Sequence, residues 1–478
     1  MSFTLYTQTP AFAPELFDML RLFLGAGEYR LSEIPQADAV HTLMDDGSLY
    51  RCRCVFRGQN AERSLEKQAG SPLEVKRAVK RLCRQTLYDV LKAATALHPP
   101  WGSLTGIRPT RLFYEQLALG ASAEEAERAL CGLFDLHTHK AQLLGRIVAA
   151  QSELLPPSPQ HADVYIGIPF CRGRCSYCSF PGGDIGNGAL VAPYLNALEN
   201  EMQKTRRLMD AAGLKLRALY IGGGTPTSPD DAAFDRLMDM TGRFFPNPVE
   251  WTVEAGRPDT LNDHKLNAMR AAGAKRISIN PQTFHDATLQ RIGRRHTAAQ
   301  VVTAYESALR HGLDHINMDL IAGLPGETAE DFERSVACAL SLRPASLTVH
   351  TLAIKRGAAL HEAGHIQTDD ASVAAMTAHA RAAADAQGMQ PYYLYRQKYM
   401  AGNQENTGYA FPGHSCLYNV DMMEETTNIF GIGSGAMSKR ILGKESRILR
   451  APNVLNIEAY IRRVDEMVTR KKRLFLGD

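Results

Sequence analysis

Three cysteines stand close together before the middle of the chain, at Cys171, Cys175 and Cys178. Their spacing is C-x3-C-x2-C. Three thiolates this close in sequence can hold three irons of a four-iron cluster and leave the fourth iron open to a ligand. An open iron supports chemistry, whereas a cluster with four protein ligands only carries electrons. The triplet therefore predicts a [4Fe-4S] cluster with one open iron.

Structural zinc is the main alternative for such a group of thiols. Zinc sites usually combine a paired C-x2-C unit with a further pair of Cys or His, and no second C-x2-C pair occurs among the nine cysteines. The spacing thus favours the cluster over zinc and over structural thiols. The isolated or differently spaced cysteines elsewhere are Cys52, Cys54, Cys83, Cys131, Cys338 and Cys416.

Composition sets broad limits on the function. With 478 residues, 45% hydrophobic and 22% charged, the chain has the composition of a soluble globular protein of two or three domains. A net charge of +3 is too small to indicate binding to nucleic acid. We find neither a signal peptide nor the ~18 consecutive apolar residues that a membrane span requires. Thiolates that must stay reduced fit the cytoplasm, so we expect a cytoplasmic protein without nucleic-acid or membrane partners.

The chain divides at a proline-rich segment. Residues 152–162 contain three prolines within four positions, which cannot continue a helix, so this segment is predicted to be a linker. Residues 1–151 are predicted to form an accessory α+β domain. Within it, residues 48–57 alternate as a half-buried strand does, and residues 73–97 have the apolar spacing of an amphipathic helix. The basic face of that helix fits either a solvated surface or a docking surface for an acidic partner.

After the linker, short apolar runs alternate with helical segments. Six such repeats predict an α/β fold with a parallel sheet, a partial (β/α)6 TIM-like barrel over residues 163–385 that falls short of eight repeats. Residues 386–478 lose the alternation and are expected to form a C-terminal cap over the barrel mouth. The apolar runs are 163–168, 216–221, 249–254, 275–280, 314–321 and 345–352, and clear helical segments are 191–212, 262–272, 297–311 and 329–342.

Polar and glycine residues follow the ends of successive predicted strands. In parallel α/β folds the chemistry gathers at the C-terminal ends of the strands. The residues at these positions should therefore converge on one site. They are Cys171 after the first strand, Gly222 to Gly224 after the second, Glu254 at the third, Gln282 after the fourth and Asp319 at the fifth.

Beyond the triplet, the segments Gly222-Gly-Gly-Thr-Pro-Thr227 and Asp319-Leu-Ile-Ala-Gly-Leu-Pro325 make the chain resemble the radical S-adenosylmethionine (SAM) enzymes. More narrowly, it resembles the oxygen-independent coproporphyrinogen III oxidase family and, within it, the HemZ-type coproporphyrinogen dehydrogenase branch. Residues 104–110, 252–259 and 412–414 carry this closer likeness.

The resemblance implies cofactors, a reaction and partners. The cofactors would be a [4Fe-4S] cluster on the three cysteines and one SAM molecule, or two. Cleavage of SAM would give a 5′-deoxyadenosyl radical that abstracts hydrogen from carbon. The reaction would convert two propionates of coproporphyrinogen III to vinyls, giving protoporphyrinogen IX in haem biosynthesis. An electron donor such as flavodoxin or ferredoxin would reduce the cluster.

The resemblance also implies which residues bind SAM. The positions matching contacts to the first SAM are Tyr165, Tyr177, Gly223, Gly224, Thr225 and Glu254. Glycine suits such a turn because its backbone can approach a ligand closely. The positions matching a second SAM or further contacts are Gln282, Arg294, Asp319, Ala353 and Met437, for which ordinary packing in the barrel is the alternative explanation.

Departures from the family pattern leave other substrates open. The oxidases often have His where this chain has Gly167, and a further Cys where it has Ser179-Phe180. Another tetrapyrrole such as haem is therefore an alternative substrate. A haem-binding carrier with an iron–sulfur cluster is a third hypothesis. Against it, the His-Asn-x-x-Tyr-Trp motif of the related haem chaperones corresponds here to Tyr418-Asn-Val-Asp-Met-Met423, although His414 and Met422 could still ligate iron.

A substrate with four propionates should meet cationic side chains near the barrel mouth. Each candidate can equally be a solvated surface residue. The candidates are Arg108, Arg174, Lys355, Arg356, Arg396 and Lys398.

Overall fold

The computed structural model divides the chain into two units, Met1–Gly145 and Arg146–Asp478. Each unit has a hydrophobic core of its own. The structure describes residues 2–25, 27–67, 70–106, 108–154, 158–180, 182–355, 357–362, 368–398, 400–443 and 447–477.

The first unit is built around a five-stranded mixed sheet with the strand order β2-β1-β3-β4-β5. Its strands are β1 (Ser2–Thr7), β2 (Glu28–Ser32), β3 (Ala39–Asp45), β4 (Leu49–Phe56) and β5 (Gln59–Glu66). The β3, β4 and β5 strands are antiparallel neighbours, whereas β1 runs parallel to both β2 and β3. The helices of this part of the chain are α1 (Ala13–Leu24), α2 (Pro72–Thr95), α3 (Thr110–Ala118), α4 (Ala123–Phe134) and α5 (Thr138–Gln151).

Helix α2 covers one face of this sheet. It begins with a capping box, in which Ser71 accepts from the backbone N–H of Glu74 and the Glu74 carboxylate accepts from the backbone N–H of Ser71. This arrangement satisfies two donors that a helix start would otherwise leave unpaired. Its buried residues, including Val79, Leu82 and Cys83, recur at helical spacing and join the core formed with β4. The predicted strand over 48–57 and helix over 73–97 are thus confirmed.

The second unit contains the predicted partial (β/α)6 barrel. Six parallel strands lie side by side in chain order. They are β6 (His161–Ile168), β9 (Lys215–Gly223), β10 (Glu250–Val253), β11 (Arg276–Ser278), β12 (His315–Ala322) and β13 (Ser346–Thr351), with a small pair formed by β7 (Phe170–Cys171) and β8 (Gly183–Asp184). The helices between them are α6 (Val191–Ala211), α7 (Asp231–Phe244), α8 (Asp263–Ala272), α9 (Asp286–Arg291), α10 (Ala298–Arg310) and α11 (Ala329–Ser341).

The C-terminal region, where a cap over residues 386–478 was predicted, contributes strands to the same sheet. Its strands add to both sides and give eleven strands in total, because β13 and β6 each leave one edge to be paired. These strands are β14 (Gln390–Tyr395), β15 (Asn406–Ala410), β16 (Asn428–Ile432), β17 (Met437–Leu442) and β18 (Arg447–Pro452). The accompanying helices are α12 (Ala359–Glu362), α13 (Asp370–Ala386), α14 (Leu417–Glu424), α15 (Ile457–Arg462) and α16 (Val464–Leu476).

The boundary between the two units lies earlier than the predicted linker. It falls between residues 145 and 146, inside α5, rather than after residue 151. The reason is that the end of α5 bonds within the second unit. Arg146 makes two hydrogen bonds to the Asp385 carboxylate, at 2.6 and 2.9 Å, and Gln151 donates to the carbonyl of Tyr392 at 2.9 Å. Residues 155–157 of the predicted linker lie outside the described residues.

Within the described part of the chain, every helix falls short of the combination of length and apolarity needed to cross a membrane.

Candidate active site

The three cysteines lie on one loop beside the C-terminal end of β6. Cys171 ends β7, and Cys175 and Cys178 follow in the loop toward β8, with the Cys178 N–H donating to the Cys175 carbonyl at 3.1 Å. All three are free thiols and half-buried. Burial raises the pKa of Cys171 and Cys178, and the charges of neighbouring cysteines raise it further. The three sulfurs therefore lie within electrostatic range of one another.

The glycine turn after β9 packs directly against this loop. The Thr225 N–H donates to the Phe170 carbonyl at 2.7 Å, and its hydroxyl donates to the Cys171 sulfur at 3.7 Å. A Cβ at Gly224 would lie 2.7 Å from the Phe170 carbonyl oxygen and 3.0 Å from the Cys171 sulfur, and Gly223 has a φ of +113°. Only glycine permits this close approach and this backbone conformation.

A second set of contacts fastens the loop from the segment after β10. Arg257 donates to the Gly173 carbonyl at 3.0 Å and pairs with Asp259 at 3.1 Å. Arg172 in turn donates to the Asp259 carbonyl at 3.0 Å. Burial would raise the pKa of Asp259, but bonds from His296 and Arg257 outweigh it and hold that pKa well below its usual range. Arg257 and Asp259 lie in the segment 252–259 that carries the family likeness, but neither was predicted as a site residue.

Arg294 links the loop to two further strand ends. Its guanidinium is buried and donates to the carbonyls of Gly256 and Asn280 at 3.1 and 2.9 Å and to the Tyr177 hydroxyl at 3.3 Å. Arg294 and Tyr177, two of the predicted site residues, therefore lie together beside the cysteine loop.

Glu254 lies at the end of β10 next to the glycine turn. Its carboxylate accepts from the Tyr220 hydroxyl at 2.6 Å and from the Gly223 N–H at 3.2 Å. Burial raises the pKa of Glu254 to about 7, and the charge of Asp319 raises it as well. A Cβ at Gly222 would lie 2.8 Å from this carboxyl group, so the first glycine of the turn makes room for it.

Gln282 and Asp319 join the ends of β11 and β12. Gln282 has a φ of +68°, and its N–H donates to the Asp319 carbonyl at 2.9 Å. The Asp319 carboxylate lies 3.5 Å from His350 Nε2, and the other nitrogen of that ring lies 3.4 Å from the Tyr395 hydroxyl. His350 and Tyr395 were not predicted as site residues. His350 lies in the sixth predicted strand, and its position at the strand end was the available indication.

The remaining predicted positions lie on the two flanks of the six-stranded region. The Tyr165 ring on β6 is stacked 6.2 Å from Tyr220 and 6.0 Å from Tyr418. Ala353 follows β13 and forms an antiparallel bridge with Met400, whereas Met437 begins β17 beyond the opposite flank.

The candidate propionate-binding cations have different surroundings. Arg174 is exposed, donates to the Gly357 carbonyl at 2.9 Å, and lines a cavity of about 610 Å³ together with Arg294 and Arg295. Arg396 is buried and bonds to Asn403. Burial lowers the pKa of the half-buried Lys355, and Lys398 is exposed. Arg108 belongs to the first unit, and Arg356 lies outside the described residues.

Comparison with known proteins shows the family of the chain. Residues 165–339 match the radical SAM superfamily. The chain is 39% identical over 407 residues to the oxygen-independent coproporphyrinogen-III oxidase-like protein HemZ of Bacillus subtilis, covering 83% of this chain and 81% of that protein. The chain belongs to the HemZ family of radical SAM proteins.

This HemZ-family chain is also similar to two proteins of Escherichia coli. It is 30% identical over 302 residues to the heme chaperone HemW of Escherichia coli, covering 62% of this chain and 73% of that protein. Its structure resembles that of coproporphyrinogen III oxidase HemN from Escherichia coli with a TM-score of 0.52 and 23% identity, over 69% of this chain and 73% of that one. At that identity, the second likeness shows the shared fold.

Radical SAM proteins use a [4Fe-4S] cluster and SAM, and the residues of this HemZ-family chain fit both. The three loop thiols are unpaired, and the loop leaves no fourth cysteine next to them. Within the part of the chain that the structure describes, the buried side-chain oxygens of Ser176, Asn280 and Gln282 have no protein partner. Buried polar atoms are normally bonded, so these three oxygens are available to a polar ligand.

Proposed function

We propose that this HemZ-family chain catalyses the oxygen-independent oxidative decarboxylation of coproporphyrinogen III, converting two propionates to vinyls in haem biosynthesis. The observation that carries the proposal is the position of the glycine turn, which bonds to the cysteine loop on one side and to Glu254 on the other. The 39% identity to an oxidase-like HemZ protein supports the choice of reaction.

Cys171, Cys175 and Cys178 would hold the cluster, and the residues around them would hold SAM. When bound, the cluster and SAM together supply an electron and the abstraction of a hydrogen atom from carbon. Two hydrogen bonds keep the loop in place. The Arg257 side chain donates to the Gly173 carbonyl, and the Thr225 N–H donates to the Phe170 carbonyl. These bonds hold the thiols in position before any ligand arrives.

The SAM-binding roles follow the strand ends. Tyr165, Tyr177, Gly223, Gly224, Thr225 and Glu254 surround the first SAM in this proposal, and Gln282, Arg294, Asp319, Ala353 and Met437 contribute a second SAM position or further contacts. With its pKa near 7, Glu254 can hold or release a proton at its carboxyl group near neutral pH. The unpaired Gln282 oxygen can accept a hydrogen bond.

The overall reaction sets what the protein must accommodate. Each propionate loses one hydrogen atom, carbon dioxide and one further electron, and the two remaining carbons become a vinyl group. The hydrogen is taken in the cofactor chemistry, and the last electron needs an acceptor outside the chain. Exposed cations such as Arg174 and Lys398 are the candidates for binding the substrate carboxylates.

A haem-carrier function is the main alternative, because HemW relatives are named heme chaperones. The contacts of the two candidate iron ligands favour the enzyme. The Met422 sulfur accepts a hydrogen bond from Lys439 at 2.9 Å, and the ring of His414 packs 4.4 Å from that of His315. The Tyr418 ring is buried and stacks against the rings of both Tyr165 and Tyr220. Haem ligation would require these side chains to leave their partners.

The test is an anaerobic assay with the full chain, reconstituted with iron and sulfide and supplied with dithionite, SAM and coproporphyrinogen III. We expect 5′-deoxyadenosine and a tetrapyrrole that has lost two carboxyl groups, detected by mass spectrometry. The variant Cys175→Ala should form neither product, whereas Cys338→Ala, on the exposed side of α11, should form both.

Two outcomes would contradict the proposal. Formation of 5′-deoxyadenosine with an unchanged porphyrinogen would reject this substrate, and a parallel reaction with haem would then test the other tetrapyrrole. Absence of 5′-deoxyadenosine despite an intact cluster, together with a Soret shift on haem titration, would favour the carrier.

A further inference from the structure

A second group of metal-ligating side chains lies in the core of the first unit. Cys52 and Cys54 are at alternate positions of β4 and so point to the same face of the sheet. His41 on β3 is directly opposite Cys54 in the antiparallel register. One donor atom from each of these three residues lies within 4.8 Å of the other two. The backbone pairing of two strands therefore gathers three donors that are separated in sequence.

Helix α2 supplies a fourth donor. Cys83 lies on its buried face, and α2 packs over β4. Cys83 shares the hydrophobic core of the first unit with Cys52 and Cys54. All four residues are at most 1% exposed. Three thiols and one imidazole are thus collected between a sheet and a helix, with water excluded.

The imidazole is oriented toward the sulfurs. His41 Nε2 lies 3.1 Å from the Cys52 sulfur, and Nδ1 lies 2.9 Å from the Thr7 hydroxyl oxygen. A hydrogen bond on the nitrogen that faces away from the metal is the usual way in which proteins fix a metal-binding histidine. Thr7 has that position here, because it holds Nδ1 while Nε2 faces the thiols.

Simple packing does not explain the whole group. Buried cysteines alone often behave as small apolar residues. A fully buried histidine needs a partner for each ring nitrogen, and the partner of Nε2 here is one of the three thiols. Moreover, a sulfur and a nitrogen bound to one tetrahedral zinc are about 3.6 Å apart. His41 Nε2 and the Cys52 sulfur, 3.1 Å apart, are already as close as two ligands that share one ion.

We infer that the first unit binds a structural zinc ion through His41, Cys52, Cys54 and Cys83. Three thiolates and one imidazole form a soft donor set that suits zinc and fills its four tetrahedral positions. Because all four ligands are buried, no position is left for water or substrate. The ion therefore stabilises the fold by linking β3, β4 and α2, and it takes no part in the reaction. This inference is independent of the proposed function.

The first measurement is the metal content of the full chain. The protein is produced in zinc-supplemented medium and purified without oxygen in the background Cys171→Ser, Cys175→Ser, Cys178→Ser, which removes the ligands of the proposed cluster. Elemental analysis should find one zinc per chain. Zinc should be lost in Cys54→Ser and in His41→Ala, and it should be kept in His41→Cys, which replaces one zinc ligand with another. Cys131→Ser, in the same unit on α4, is the matched control and should keep its zinc.

A second measurement avoids variants that fail to fold. Full-length protein is treated with iodoacetamide, with and without a zinc chelator, and analysed by mass spectrometry. We expect Cys52, Cys54 and Cys83 to react only when the chelator is present, and the half-buried Cys131 to react to the same extent in both samples. Cobalt substituted into the site should show sulfur-to-cobalt charge-transfer absorption.

Several results would overturn the inference. The protein as isolated could lack zinc, or its zinc content could be the same in Cys54→Ser as in Cys131→Ser. Stoichiometric copper or iron on these four residues would reject zinc as the ion. A disulfide between two of the three cysteines, seen as the loss of two hydrogens from the mass, would also reject it, as would alkylation that the chelator does not change.

Discussion

The protein has two groups of cysteines, for which we propose different roles: one holds a reactive iron–sulfur cluster and the other a structural zinc ion. Cys171, Cys175 and Cys178 lie on one short loop and are half-buried. The four residues proposed to bind zinc come from two strands and a helix and are buried. A reactive centre needs an open position, whereas a structural ion needs every position filled. The difference shows that accessibility, more than ligand type, separates the two roles.

The two groups also differ in what holds them in place. The cysteine loop is held by side chains from neighbouring strand ends, chiefly by Arg257 on the Gly173 carbonyl and Arg294 on the Tyr177 hydroxyl. The buried group is held by the backbone pairing of β3 with β4 and by the packing of α2. Loss of one contact should therefore alter chemistry in the loop and stability in the buried group.

The largest effect should come from removing one ligand of the loop. Cys178→Ser should abolish the iron–sulfur cluster and reduce SAM cleavage to background, because the remaining two thiolates cannot hold the cluster in its open form. Iron analysis and 5′-deoxyadenosine formation measure this loss. The zinc content should stay at one per chain, and Cys338→Ser should match the unsubstituted protein. A variant that retains both cluster and activity would show that the loop is not the cluster site.

Removal of zinc should destabilise the first unit and leave the strands of the second unit unchanged. An ion present at a thousand times its dissociation constant stabilises the folded state by about 4 kcal/mol, so chelation should destabilise the first unit by at least a few kcal/mol. Hydrogen exchange should accelerate in β3 and β4. Strands β12 and β13, measured in the same sample, should exchange at unchanged rates. Equal acceleration in both pairs of strands would contradict a site confined to the first unit.

An intermediate effect is expected from the glycine turn. In Gly224→Ala the added methyl group would lie 2.7 Å from the Phe170 carbonyl oxygen and 3.0 Å from the Cys171 sulfur, so backbone or loop must shift. A displacement costing about 1–3 kcal/mol should lower kcat/KM for SAM cleavage by roughly 5- to 160-fold. The control is Gly132→Ala in α4, where nothing lies within 4 Å of the new methyl group. A similar kcat/KM in both variants would mean that the turn does not position the loop.

The difference between the two cysteine groups also explains which features could be predicted from the sequence. The triplet was recognisable because its ligands are neighbours in the chain, and the six strands were recognisable because buried parallel strands are continuous apolar runs. Cys83 looked isolated, and Cys52 and Cys54 were only a pair one residue apart, because the pairing of β3 with β4 and the packing of α2 bring these residues into one core. Arg257 was missed for the same reason, since its partner Gly173 is distant in sequence. The C-terminal strands were missed because β14 to β18 follow no regular strand–helix alternation.

The smallest effect concerns pH. Glu254 in the folded protein has a pKa of about 7, raised from 4.5 mainly by burial. The folded state therefore binds this proton more tightly than the unfolded state, and its stability should fall as pH rises from about 4.5 to 7 and then level off. Glu254→Gln cannot ionise, so it should lack this part of the fall, of the order of 1–3 kcal/mol.

To check this prediction, the free energy of unfolding of the cluster-free protein is measured with urea between pH 5 and 8. Hydrogen exchange in β9 and β10 is measured over the same pH range. Glutamine can still accept from the Tyr220 hydroxyl but offers an N–H where Glu254 accepts from Gly223 at 3.2 Å. This mismatch should lower stability by the same amount at every pH, so the slope against pH is the diagnostic quantity. The zinc content should not change, because Glu254 belongs to the other unit. Parallel pH curves for the variant and the unsubstituted protein would contradict the prediction. They would show that the pKa of Glu254 in the folded protein is not raised toward neutral pH.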